Sequence, residues 1–101
     1  MALMHITVIP IGTGSASVGD YIADIEQFLT GKGVDHSLGD MGTVIYGSAD
    51  ELLQLASEIH NFPFNAGVQR VVTQLTIDDR RDIDRKIGEK REAVINRIPK
   101  K

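Results

Sequence analysis

The side chains best suited to metal or acid–base chemistry are three histidines and fourteen acidic residues, and their spacing matches no familiar catalytic motif. His5, His36 and His60 lie far apart, without the short intervals of sequence-local metal motifs. Only folding could assemble them into a composite site. The serines include no Gly-x-Ser-x-Gly, and the chain has no cysteine nucleophile. We therefore predict no catalytic residue, metal ligand or cofactor, with a small hydrolase or isomerase as a remaining alternative.

A glycine-rich stretch, "GTGSASVG" at residues 12–19, could bind an anion. Gly12 and Gly14 match the first two glycines of the dinucleotide fingerprint, but the third position is Ser17, and no Walker lysine follows. A loop before a helix can still bind an anion through its main-chain N–H groups. A turn before a capped helix accounts for the same residues.

The stretch "MGTVIYGSAD" at residues 41–50 combines two glycines, a hydroxyl and a short apolar run. Gly42 would allow close backbone approach, Thr43 would offer a hydroxyl at a strand start, and Gly47 would let the chain turn. Space and a few polar groups beside an apolar sheet are typical of small-molecule pockets. A hairpin that needs glycines in its turns is an equally valid interpretation.

Arg70 is the only arginine before residue 80, and it lies in an alternating stretch that predicts a strand. We expect its side chain on the sheet face that the helices do not cover. There it could form an ion pair between subunits or contact a ligand.

The elements that must position these residues alternate along the chain. Ser17 is a plausible cap of a first helix, which ends at Gly31 and Gly33. The Ser48–Glu51 pair forms a capping box for a second helix, which ends near Pro63. Asp78 or Asp79 would cap a last helix over about 80–98. Apolar and alternating patterns predict four strands, at residues 4–11, 34–38, 43–47 and 68–77.

This order predicts an α+β fold, a ferredoxin-like βαββαβ sandwich with an additional C-terminal helix. The 101 residues suit a single domain over 1–101. Two helices would cover one face of the sheet, so an apolar second face would need to be covered by an extra helix or a second subunit. We therefore expect a homo-oligomer.

Composition limits the partners. Residues 78–101 contain nine of the eleven basic residues, but six acidic residues are interleaved and no aromatic residue is present, so we predict no nucleic-acid partner. No apolar run approaches the roughly 20 residues that span a bilayer, so we predict no membrane partner. The absence of cysteine and of a basic apolar leader fits a cytoplasmic protein.

Three stretches carry a family resemblance that covers residues 4 to 98. They are "MGTVIYG", "GVQRVVTQLTIDDRRD" and the opening "ITVIPIGTGSASVGDYI". Together they resemble the small thiamine-binding, Ykof-like proteins. The resemblance implies a ferredoxin-like fold, dimers that pair into tetramers, and binding of thiamine or its hydroxymethylpyrimidine moiety without known catalysis. It places Arg70 and Arg81 at positions that could serve assembly.

The predicted function is thus non-enzymatic binding of a thiamine-like small molecule by a homo-oligomer, a dimer of dimers. The family pattern Thr-x-x-Glu-Gly has tyrosine here at Tyr46, which cannot supply a carboxylate but can offer its ring or hydroxyl. The alternative is a structural or regulatory oligomer that binds a protein through its sheet face. The predicted ligand-binding residues are Gly12, Gly42, Thr43, Tyr46 and Gly47.

Overall fold

Four strands and three helices make up the fold in a computed structural model that describes residues 1–12 and 19–99. They follow one another as β1 (Ala2–Ile11), α1 (Gly19–Lys32), β2 (His36–Leu38), β3 (Thr43–Gly47), α2 (Ala49–Asn65), β4 (Arg70–Asp79) and α3 (Glu89–Ile95). The sheet has the strand order β2-β3-β1-β4, and all its pairings are antiparallel. This confirms the predicted ferredoxin-like α+β topology.

Strict alternation along β1 divides the sheet into two faces. Its even-numbered residues, from Ala2 to Pro10, are buried, because they point toward the helices. Buried side chains of α1, β3 and α2, such as Leu29, Ile45 and Leu52, complete this core. The odd-numbered residues of β1 form the second face, which we call the open face, and there Ile9 and Ile11 are exposed.

The two long helices begin and end close to the predicted residues. The Ser48 hydroxyl accepts a hydrogen bond from the Glu51 N–H over 3.2 Å, which confirms Ser48 as the cap of α2. Helix α1 ends at Lys32, before Gly33 at φ +69°, while α2 continues two residues past Pro63. The predicted cap of α1, Ser17, lies outside the described residues.

Strand β1 is longer than its neighbour β3, which opens a gap in the sheet. The β1–β3 pairing stops at Ile6↔Thr43, while β1 stays paired with β4 as far as Ile11↔Arg70. Within ranges 1–12 and 19–99, residues 7–11 of β1 therefore have no strand partner on the β3 side. We call this gap, beside the turn at residues 39–42, the notch.

The C-terminal region differs from the predicted helix over about 80–98. Helix α3 spans only Glu89–Ile95, and residues 80–88 are irregular. Strand β4 extends through Asp78 and Asp79 because β1 begins at Ala2 and supplies both with cross-strand partners. Those aspartates are therefore strand residues rather than helix caps. Gly88 at φ +88° separates α3 from the preceding segment.

Candidate functional site

The notch opens into a cavity of about 330 Å³ between β1, α1 and the turn at residues 39–42. We call it the hairpin cavity. Its walls are mostly apolar, and Met41, 83% exposed, stands at the turn beside it. A largely apolar cavity of a few hundred cubic ångströms with few polar groups is typical of small-molecule sites. Two predicted residues, Gly42 and Thr43, line it together with Ile6, Val8, Ile22, Ile25, Glu26 and Ile59.

Glu26 supplies a carboxylate inside this apolar setting. The Thr43 hydroxyl, on a residue only 6% exposed, donates to Glu26 Oε2 over 3.1 Å. The other oxygen, Oε1, lies 3.8 Å from His36 Nε2, beyond hydrogen-bonding distance. His36 Nδ1 lies 2.9 Å from the Val34 carbonyl oxygen, which can only accept, so the ring proton belongs on Nδ1. One oxygen of Glu26 is thus held in place, and the other can still accept from a ligand.

The charges around the hairpin cavity are negative. Its lining contains two carboxylates, Glu26 and Asp40, and none of the described lining residues is basic. A carboxylate in a partly desolvated pocket favours a cation or a hydrogen-bond donor as its partner. The cavity is therefore suited to a small molecule with an apolar ring and a positive charge or an amino group.

Gly42 fits its position because of close packing against β1. A Cβ atom there would lie 2.6 Å from both Cε1 and Nε2 of His5 and 2.7 Å from Thr7 Oγ1. The Thr7 hydroxyl donates to the Met41 carbonyl over 2.9 Å and so ties the turn to the strand. The glycine predicted for close backbone approach thus keeps the turn against the notch.

Tyr46 lies on the other side of the sheet from Thr43. Its cross-strand partner is Leu3, on the open face, whereas the partner of Thr43 is the buried Ile6. The Tyr46 hydroxyl donates to Asp84 Oδ2 over 2.6 Å, and this hydrogen bond raises the pKa of Tyr46 to about 12. The structure therefore brings Gly42 and Thr43 to one cavity and places Tyr46 elsewhere.

The remaining predicted residues lie outside the hairpin cavity. Gly12 lies with Ile11, Tyr21 and Arg70 in a separate groove. Gly47 packs against α2, where a Cβ atom would come within 2.8 Å of Glu51 Oε1. Arg70 is exposed on the open face opposite Ile11, which confirms the predicted face.

The three histidines have separate surroundings. His60 Nδ1 lies 2.6 Å from the Thr73 hydroxyl oxygen, and its ring contacts Phe64 edge-on. His5 lies against Gly42, and His36 lies near Glu26. No group of three or more metal-ligating side chains occurs within ranges 1–12 and 19–99. Over the same residues, every helix is too short or too polar to traverse a bilayer.

Sequence reasoning missed Glu26, although the sequence contains a signal for it. Helix α1 buries Ile25 and Leu29. Glu26 lies four residues after Ile22 and three before Leu29, so it falls on the apolar side of the helix. An acidic residue on such a side needs a polar partner, and Thr43 provides it.

The fold and the hairpin cavity together define a small α+β protein with a largely apolar cavity of the size typical of small-molecule sites. The sequence matches the family described as "Thiamine-binding protein" over residues 4–95. The chain belongs to this thiamine-binding protein family.

The chain is also similar to UPF0045 proteins over nearly its whole length. It is 42% identical over 99 residues to the UPF0045 protein in the glkA 3′ region of Staphylococcus xylosus, covering 93% of this chain and 92% of that one. It is 39% identical over 98 residues to the UPF0045 protein YqgV of Bacillus subtilis, covering 93% and 94%.

Solved structures share the fold. The hypothetical protein MJ1052 of Methanocaldococcus jannaschii superposes with a TM-score of 0.82 at 33% identity, covering 92% of this chain and 94% of that one. A Thermotoga maritima protein with a proposed part in thiamine biosynthesis or salvage gives a TM-score of 0.76 at 20% identity, covering 92% and 97%. The latter similarity concerns the fold alone.

Proposed function

We propose that the hairpin cavity binds thiamine or its hydroxymethylpyrimidine moiety. The observation that carries the proposal is the half-buried Glu26 carboxylate, whose Oε1 atom can accept a hydrogen bond inside an apolar cavity. The aminopyrimidine ring of such a ligand offers N–H donors, and the thiazolium ring carries a positive charge. Glu26 is thus the acidic group that Tyr46 cannot provide.

The notch offers a second source of recognition. Val8 of β1 lines the hairpin cavity where the strand has no β3 partner among the described residues. Its main-chain N–H and C=O point to that side, as those of Met4 and Ile6 do. A free strand edge presents alternating main-chain N–H and C=O groups. An aminopyrimidine carries donors and acceptors side by side, so it can pair with such an edge while Ile22 and Ile25 pack on its ring.

Titration calorimetry with thiamine and with hydroxymethylpyrimidine tests this proposal. We expect both to bind, and we expect Glu26→Gln to weaken thiamine binding at least about tenfold, because charge-assisted hydrogen bonds contribute roughly 1.5–3 kcal/mol. Glu58→Gln is the matched control. Glu58 is a half-buried helical glutamate that does not line this cavity. The proposal would be refuted if neither compound gave heat at millimolar concentration, or if Glu26→Gln and Glu58→Gln bound thiamine with equal affinity.

We further propose that the protein self-associates through its open face, as dimers that pair into tetramers. Ile9, 41% exposed, lies opposite Val72 on this face, and Ile11 lies opposite Arg70. Adjacent apolar side chains of this kind gain free energy when a second surface covers them. A docking site for another protein is the alternative use of the same face.

Light scattering across a dilution series tests self-association. We expect a tetramer that Ile9→Glu converts to smaller species, while Leu53→Glu, on the exposed side of α2, leaves the mass unchanged. A monomer at micromolar concentration in the unaltered chain would exclude this second proposal without affecting the first.

A further inference from the structure

A second cavity lies at the opposite end of β1 from the notch. It measures about 220 Å³, and we call it the basic cavity. The open-face residues Leu3 and Asp78 form its floor, and the C-terminal segment with α3 forms its wall. Four basic side chains, Arg80, Arg85, Lys90 and Arg97, line it. This clustering is notable because the whole chain carries a net charge of −3.

Most of this positive charge is uncompensated. Arg80 is held by Asp82 through two hydrogen bonds of 2.8 and 2.9 Å. For Arg85, Lys90 and Arg97, no carboxylate of the described residues lies within ion-pair distance. The neighbouring Arg81 and Arg91, in contrast, pair with Asp79 and Glu92. Besides Arg80, three cations and one carboxylate, that of Asp78, line this concave space, so its net charge is positive and favours an anion.

We propose that the basic cavity binds the phosphate group of a small organic phosphate. Guanidinium groups match phosphate oxygens through paired N–H donors, and a lysine adds a point charge. Leu3, Ala93 and Val94 form an apolar side of the cavity that can pack on the organic part. Pockets for drug-sized ligands measure about 300–1,000 Å³, so the basic cavity, at about 220 Å³, suits a mono- or diphosphate group with a small substituent.

This site is distinct from the hairpin cavity. The basic cavity and the hairpin cavity share no lining residue. The basic cavity lies on the open face, whereas residues of α1 and α2 line the hairpin cavity. A small surface cavity also suits a small anion better than an extended nucleic acid, and residues 78–101 contain no aromatic side chain for base stacking. The proposal therefore does not depend on thiamine binding.

Titration calorimetry with pyrophosphate and phenyl phosphate, with benzyl alcohol as a neutral reference, tests this site. We expect both phosphates to bind, more weakly at higher salt, and phenyl phosphate to bind more tightly than inorganic phosphate titrated alongside it, because of the apolar side. Arg85→Gln and Arg97→Gln should each lower the affinity about tenfold. Arg91→Gln is the control, since Arg91 does not line the cavity and pairs with Glu92.

Two further measurements distinguish loss of phosphate binding from loss of the fold. Circular dichroism of each variant establishes that the fold is retained, and Glu26→Gln should leave pyrophosphate affinity unchanged. The proposal is overturned if neither phosphate binds at millimolar concentration, or if Arg85→Gln, Arg97→Gln and Arg91→Gln bind alike. Binding to an RNA oligonucleotide without binding to either small phosphate would also overturn it, in favour of a nucleic-acid surface.

Discussion

Thr43, the first residue of β3, donates a hydrogen bond from its hydroxyl to Glu26 Oε2 over 3.1 Å, and both residues line the hairpin cavity. This bond joins a residue predicted from a sequence motif to one that the motif does not contain. It fixes the direction of the carboxylate and leaves Oε1 without a hydrogen bond among the described residues.

Thr43→Val should destabilise the protein by about 1–3 kcal/mol, because the half-buried Glu26 carboxylate loses its donor. Urea denaturation measures this change. Thr76→Val, on the exposed part of β4, is the control and should stay within about 0.5 kcal/mol. If Glu26→Gln lowers the cost of Thr43→Val in a double-mutant cycle, the coupling is direct; strictly additive effects would contradict it.

Gly42→Ala should cost about 1–3 kcal/mol, because the new Cβ atom would overlap the His5 ring and Thr7 Oγ1. Gly31→Ala is the opposite case, since it lies in α1 with no atom within 4 Å of the added carbon. That variant should gain about 0.5–1 kcal/mol. Thermal unfolding of both variants gives the comparison, and His5→Ala should restore part of the stability lost in Gly42→Ala. Equal stability of the two alanine variants would show that the turn can move away from β1.

Ionisation of Tyr46 should reveal its bond to Asp84. The Asp84 carboxylate favours the protonated phenol and raises the pKa of Tyr46 to about 12, against about 10 for a free tyrosine. The bond therefore contributes fully below pH about 10, and its contribution is lost as the pH rises through 12.

The Tyr21→Phe variant leaves Tyr46 as the only tyrosine of the chain, so phenolate absorbance after a rapid pH jump reports it alone. We expect a midpoint near 12, and Asp84→Asn in the same background should return it toward about 10. A midpoint near 10 before the Asp84 change would mean that the C-terminal segment is not held on β3.

Ser48→Ala should cost about 1 kcal/mol, because the first turn of α2 loses the oxygen that accepts from the Glu51 N–H. Ser57→Ala, at an exposed position within the same helix, should be neutral or slightly stabilising, since alanine is the better helix former. Chemical denaturation measures the free energy of unfolding of the Ser48→Ala and Ser57→Ala variants. A similar loss in both variants would indicate that serine is not acting as a cap.

The order of strands and helices along the chain, and both long helices, could be predicted from sequence because their signals are local. The capping serine Ser48, the glycines that end α1 and the apolar, β-branched run of β1 each specify one element. The C-terminal helix could not be placed in this way. Its start depends on how far β4 pairs with β1, and the pairing of Asp78 with Leu3 is a tertiary contact.

The lining of the hairpin cavity could be predicted only in part, because it too depends on contacts between elements distant in sequence. Thr43 and Tyr46 are three residues apart, and a strand turns such residues to opposite faces. Reading the motif as one pocket therefore joined two surfaces that the sheet separates. Glu26 was missed because it comes from a different element, and only the packing of α1 brings it to Thr43.

The position of Pro10 has a consequence for aggregation. A proline has no main-chain N–H, and it is tolerated in a sheet chiefly where a strand has lost a neighbour. Pro10 lies in the part of β1 beside the notch, where the described residues supply no β3 partner. An incoming strand from another chain would find a main-chain donor missing there. The chain can thus keep a strand edge accessible to a ligand while discouraging the edge-to-edge growth that leads to fibrils.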